Sequence, residues 1–148
     1  MTTIAYDGTY LCVDSQASKG DLLSSRTRQK MWFDVGEFLC VALAGNTATY
    51  KPIVDWLRDG AEPSGWGDWD AVAWAVRRDG TIERYASGYP EGVNGMDADG
   101  SGAHLALGAM AAGASAVKAL SIAIEYDLFS GGEVQSFNIR NALAERAA

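Results

Sequence analysis

The second residue of the chain combines two reactive groups in one place. If Met1 is removed, Thr2 presents a hydroxyl and a free α-amine together, a nucleophile with its own base attached. The amine suits that task because its unperturbed pKa, about 7.7–8, lies far closer to neutrality than the roughly 10.4 of a lysine. A nearby ammonium would hold it lower still, since a second positive charge beside the first is disfavoured. Met1-Thr2-Thr3 also reads as an ordinary start of translation.

Other site signatures fail. Gly100-Ser101-Gly102-Ala103-His104-Leu105 opens like a dinucleotide-binding loop, but Leu105 stands where the third glycine is needed. The single histidine, His104, follows Ser101 by three residues in an expected first helical turn, and no serine has the GxSxG frame of a nucleophile elbow. A partly buried structural histidine is the expected role. Asp97 and Asp99 read as turn residues rather than metal ligands. Cys12 and Cys40 sit inside apolar runs and are expected as buried thiols; with one histidine and no CxxC, neither a metal nor a cofactor is expected.

The elements that must position Thr2 follow from periodicity. Thr3 to Tyr6, Tyr10 to Ser15, Lys30 to Phe33 and Glu37 to Ala44 are short, β-branched or aromatic runs broken by turn residues, and Asp7-Gly8 predicts a hairpin between the first two. After Gly45-Asn46, the spacing of Ile53, Val54, Trp56 and Leu57 predicts one helix, ended at Asp59-Gly60. A connector with Trp66 and Trp69 leads to a second hairpin, Asp70 to Arg77 and Thr81 to Ala86; the connector's aromatics are expected to pack against one another. Tyr89 to Asp99 reads as loop. Ser101 to Ala112 and Ser115 to Tyr126 predict two nearly uncharged helices, covered on most sides, followed by a strand from Glu133 to Ile139 and a terminal helix to Ala147. This order suits sheets packed face to face with helices outside.

Size and charge narrow the function. A chain of 148 residues with 48% apolar side chains makes one domain with a substantial core. A net charge of -7 opposes binding to nucleic acid or to anionic lipid. No run reaches the length of a membrane span and no signal peptide is evident, so a cytoplasmic protein is expected.

Six separated segments then carry a resemblance: Thr2-Thr3-Ile4; Val13-Asp14-Ser15-Gln16-Ala17-Ser18-Lys19-Gly20; Lys30; Ala42-Leu43-Ala44-Gly45; Gly100-Ser101-Gly102; and Asp127-Leu128-Phe129-Ser130-Gly131-Gly132. In order and spacing, from residue 2 to about 139, they resemble the proteasome β-subunit family and its short bacterial HslV-type peptidases. The segment around Ser130 looks more like the proteasome proper. The resemblance implies an α+β fold in a single domain over residues 1–148, a four-layer αββα sandwich of two packed antiparallel sheets (the Ntn-hydrolase fold). The chain has room for only one helix between Gly45 and Asp70, so that fold is expected shortened by about one helix.

The resemblance also implies roles. Thr2 would be the nucleophile of a threonine-type endopeptidase after removal of Met1. Asp14 and Lys30 would be the acid and the lysine that tune it, and Ser101, Asp127 and Ser130 the cluster around its amine. The Ala42 amide would be the oxyanion donor. An extended polypeptide would add as a strand between Ser18 and the Ala42 to Asn46 segment. A homo-oligomeric ring and an AAA+ ATPase unfoldase are implied partners. Asp14 and Lys30 could equally form an ordinary ion pair tying two strands, and Ser101 a helix cap. A non-catalytic assembly subunit and a small-amide hydrolase of the same fold stay open, since fold alone does not separate them.

Overall fold

The computed structural model describes residues 2–147. A first antiparallel sheet holds β1 (Thr3–Tyr6), β2 (Tyr10–Val13), β10 (Asp97–Gly100) and β11 (Gln135–Asn138) in the order β10-β1-β2-β11. A second holds β5 (Met31–Val35), β6 (Phe38–Gly45), β7 (Ala71–Arg77), β8 (Ile82–Tyr85) and β9 (Pro90–Val93), paired in sequence order. A separate hairpin joins β3 (Ala17–Lys19) to β4 (Leu22–Ser25). Four helices complete the chain: α1 (Tyr50–Arg58), α2 (Ala103–Ala111), α3 (Ala116–Tyr126) and α4 (Ile139–Ala147).

Three apolar clusters set the layers. Ile4, Leu11 and Val13 of the first sheet meet Cys40, Ala42, Trp74 and Val76 of the second, which forms the core between the sheets. Ala5 and Cys12 face the other way, onto Ala106 and Met110 of α2 and Ala119, Leu120 and Ala123 of α3. Val41, Leu43, Ala73 and Ala75 turn outward from the second sheet onto Ile53, Val54 and Leu57 of α1. The period of two along each strand thus serves two cores, and the result is an αββα sandwich of two antiparallel sheets. A single helix, α1, covers the outer face of the second sheet, beside the Trp-rich connector. Trp56, Trp66 and Trp69 pack edge to face with centroids 4.9–6.2 Å apart.

Several expectations are corrected. The segment from Tyr89 to Asp99 is not all loop. Pro90 and Gly92 sit in β9 and Asp97 and Asp99 in β10, and β10 pairs with β1 through Thr3↔Gly100, Ile4↔Asp99 and Tyr6↔Asp97. Edge strands tolerate such residues because one side of the ladder is unpaired. The β3–β4 hairpin was not expected from sequence, because Leu22 and Leu23 point to solvent and leave no alternation to read. His104 is exposed, not partly buried. Helix α2 buries Ala106 and Met110 but leaves Leu105 and Leu107 more than a third exposed, so the two apolar helices are not covered on most sides. Cys12 and Cys40 are both buried free thiols. No helix among the described residues is long and apolar enough to cross a membrane.

Candidate active site

Thr2 stands at the entry to β1, an interior strand of its sheet, and is only 1% exposed. The β1–β10 ladder runs on by one step past Gly100: the Ser101 N–H donates to the Thr2 carbonyl at 2.7 Å, and the Ser101 hydroxyl reaches the same oxygen at 3.3 Å. Gly100 makes that approach possible. It has φ of +90°, and a Cβ there would collide with the Thr2 carbonyl.

Lys30 precedes β5 and crosses the space between the sheets. Its Nζ donates to Thr2 Oγ1 at 2.5 Å and to Asp14 Oδ1 at 3.0 Å, and neither Lys30 nor Asp14 has any exposed surface. Asp14 accepts three further bonds, from the amides of Thr3 (3.2 Å), Gln16 (3.2 Å) and Gly131 (2.9 Å). A buried carboxylate with four donors is a fixed anchor rather than a mobile base. Burial lowers the pKa of Lys30, with Asp14 opposing that effect and the Arg28 charge adding to it.

A second group lies against the Thr2 backbone. Asp127 ends α3, and its Oδ2 accepts from Ser101 Oγ and from Ser130 Oγ, both at 2.6 Å. Ser130 commits its proton to Asp127, so the Thr3 hydroxyl donates to Ser130 across 2.7 Å. The structure therefore joins Thr2, Asp14, Lys30, Ser101, Asp127 and Ser130 in one connected network. Loss of Met1 concerns a residue outside those described.

The remaining residues line a cavity of about 800 Å³ that opens on Thr2. Ser18 stands on one wall, Gly45 and Asn46 on another, and Asp99 and Ser101 close it. Ala42 does not belong there. It is fully buried between the sheets, in register with Met31 and Trp74, and the strand reaches the opening only at Ala44 and Gly45. Beside Ala44, the last strand residue at the cavity is Gly45. It has φ of +119°, and a Cβ on it would lie 2.6 Å from the Asp70 carbonyl oxygen. Asn46 uses its side chain to cap the turn that follows, accepting from Ala48 N–H at 3.0 Å.

Sequence reasoning missed Thr3, Gln16, Gln135 and Tyr50. Gln135 holds the Lys30 amide through Oε1 at 3.1 Å and the Asp14 carbonyl through Nε2 at 3.2 Å. Tyr50 is 3% exposed, donates to the Gly45 carbonyl at 3.3 Å and meets the Thr2 side chain. Burial pushes its pKa up to about 12, with the Thr2 contact acting in the opposite sense. A signal for Tyr50 existed: it shares the i, i+3, i+4, i+7 face of Ile53, Val54 and Leu57, and a phenol on a buried face needs a partner.

No protein-family profile and no curated protein matches this chain. Among solved structures, BPH from Thiobacillus denitrificans in complex with epoxomicin superposes with a TM-score of 0.68 at 20% identity, over 92% of this chain and 96% of that one. Another structure of Thiobacillus denitrificans BPH gives 0.64 at 20% identity, over 92% and 95%. The crystal structure of eukaryotic HslV from Trypanosoma brucei gives 0.67 at 18% identity, over 93% and 98%. The chain thus has the fold of BPH and HslV, a sandwich of two packed antiparallel sheets with helices outside.

Proposed function

We propose that this chain is a threonine-type endopeptidase of the HslV and proteasome β-subunit kind, acting through Thr2 once Met1 is removed. The observation that carries the reading is the 2.5 Å contact from a fully buried lysine to the Thr2 hydroxyl oxygen. A cation there stabilises negative charge forming on Oγ1 and disfavours protonation of the adjacent amine. Asp14 orients that cation, and Ser101, Asp127, Ser130 and Thr3 fix the backbone of Thr2.

Chemistry follows from those positions. Thr2 Oγ1 attacks the scissile carbonyl carbon and its proton passes to the Thr2 amine. The carbonyl oxygen takes up the electron pair and receives the Gly45 N–H, which strand alternation directs to the same edge of β6 as the Leu43 N–H that bonds Lys30 O. The tetrahedral carbon then expels the leaving nitrogen, which takes the proton from the amine, and an ester remains on Thr2. Water, deprotonated by the same amine, releases the acid and restores Oγ1–H.

The substrate lies extended in the cavity between Ser18 and the Ala44 to Asn46 segment, adding as a strand. We assign it to unfolded polypeptide, the chain to a cytoplasmic homo-oligomeric ring, and delivery to an AAA+ ATPase unfoldase. Intact mass of the purified protein, followed by turnover of fluorogenic peptides by wild type and Thr2→Ala, tests the reading. Loss of Met1 with turnover abolished in the variant is expected; unchanged turnover would overturn it, and a monomer by light scattering would remove the ring.

A further inference from the structure

Two cavities that share Thr47 lie near Thr2, and they carry opposite charge. The one already described, about 800 Å³, has Thr2 in its wall. The other, about 680 Å³, lies between residues 25–32 and α1 and has Tyr50 in its wall, the residue whose hydroxyl meets Thr2. Thr47 lines both. A polypeptide with its reacting carbonyl at Thr2 therefore has two cavities within reach of its neighbouring side chains.

In the Tyr50 cavity three cations face one carboxylate. Lys51 and Arg58 share Asp55, each at 2.9 Å, whereas the Arg28 guanidinium has no ion pair or side-chain hydrogen bond among the described residues. Its charge is felt at the reaction centre, where it favours deprotonation of Lys30 and of Tyr50. In the Thr2 cavity the charged side chains are Asp70 and Asp99. Asp99 is taken, its Oδ2 accepting from Arg84 Nε at 2.5 Å and Trp74 Nε1 at 3.1 Å. The Asp70 carboxylate, exposed beside Gly45, has no such partner among the described residues. The Thr2 cavity thus keeps Asp70 without a cationic partner, and the Tyr50 cavity is left net positive, with Arg28 as its one cation that touches no carboxylate among the described residues.

We propose that the site selects peptides in which an acidic and a basic side chain flank the scissile bond, the acidic one received by Arg28 and the basic one by Asp70. This rests on the peptidase reading and gives it a substrate class. Both charges are solvent-exposed, so each contributes about three- to five-fold in kcat/KM, and the preference shrinks as ionic strength rises. Opposite charges in the two places also reject a substrate that presents them in the reverse order, which is selection by repulsion.

The test uses the protein beginning at Thr2 and a set of otherwise identical peptides whose flanking pair is Glu–Lys, Lys–Glu or Gln–Gln. One charged order is expected to be cleaved about ten-fold better than the other, with the neutral pair between them. Arg28→Glu should invert the ratio of acidic to basic residue on one side of the bond only, and Asp70→Lys on the other side only. Rates within two-fold across the set, or ratios untouched by both reversals, would overturn the proposal while leaving the peptidase reading intact. If no peptide is cleaved, the peptidase reading fails, and binding to Thr2→Ala decides charge selection separately. Trp32 lines one cavity and Trp69 the other, so intrinsic fluorescence reports occupancy. Equal binding of the three peptides would then reject it, and tighter binding of one charged order, lost on each reversal, would uphold it.

Discussion

Thr3 and Ser130, 127 positions apart, share a 2.7 Å hydrogen bond between their hydroxyl oxygens, one residue along the chain from Thr2. Because Ser130 gives its proton to Asp127, Thr3 is the donor, and the strand that carries Thr2 is tied to the segment after α3. Thr3→Val keeps shape and removes that donor. Denaturant unfolding should show a loss of about 0.5–1.5 kcal/mol, with lower peptide turnover. Unchanged stability would mean the contact contributes nothing.

Lys30→Met should be far more costly. It leaves the Asp14 carboxylate fully buried without its cation, a situation worth about 3–5 kcal/mol of destabilisation. Adding Asp14→Asn to the same chain removes the stranded charge and should recover most of that stability without recovering turnover. Recovery of both would show that the pair ties strands together and does no chemistry.

The pH profile of kcat/KM should be bell-shaped. On the acid side the Thr2 amine must lose its proton, at or below its ordinary 7.7–8 because Lys30 is charged nearby. On the alkaline side Lys30 discharges below the ordinary 10.5, since burial lowers its pKa. Asp14→Asn removes the charge that opposes burial, so the alkaline limb should move to lower pH. Linkage has the same origin. Between the lowered folded value and 10.5 the unfolded chain binds the extra proton, so this group makes stability rise with pH across that window. An alkaline limb that stayed in place in Asp14→Asn would contradict the assignment.

Tyr50→Phe removes one hydroxyl that serves both Gly45 and Thr2. Steady-state kinetics should show kcat reduced about five- to ten-fold with KM little changed. The native phenol titrates only near 12, so neither limb of the pH profile should shift. A change confined to KM would make Tyr50 a wall of the binding cavity and nothing more.

Asp7 is a structural control far from the chemistry. It accepts from the amides of Thr9, Tyr10 and Ala116, each at 2.8 Å, and so pins the β1–β2 turn to the start of α3. Burial acts to raise its pKa, but the backbone amides together outweigh it and the net shift is downward. Its contribution is present above the ordinary 3.8 and fades as pH falls through the lowered value. Asp7→Ala should lose about 1.5–3 kcal/mol at neutral pH and show a shallower decline of stability below pH 4.

Much of the fold was legible because its strands and helices are local patterns. Asp7-Gly8 marked the first hairpin, the Ile53–Leu57 spacing gave α1, and the length between Gly45 and Asp70 allowed one helix there. β9 and β10 were not legible, because Pro90, Gly92 and Asp97 are turn residues in isolation and become strand only by pairing with β8 and β1. The same divide runs through the site. Ser101 and Asp127 stood in recognisable segments, but the roles of Thr3 and Gln135 depend on contacts across 105 to 127 positions, and that of Tyr50 on its meeting with Thr2. The displacement from Ala42 to Gly45 came from strand length: only the paired register shows where β6 leaves the interior.

β6 serves two layers at once. Its side chains alternate between two cores, Phe38, Val41 and Leu43 on the α1 side and Cys40, Ala42 and Ala44 between the sheets, and the strand terminates at Gly45 beside Thr2. Neither side can relax a misfit there without disturbing the other. Damage anywhere under α1 is therefore transmitted as a loosened edge beside Thr2, and under the proposed function peptide turnover becomes an early gauge of remote wear. Tolerated sequence drift should gather instead in the outward faces of α2 and α4, where no second layer objects.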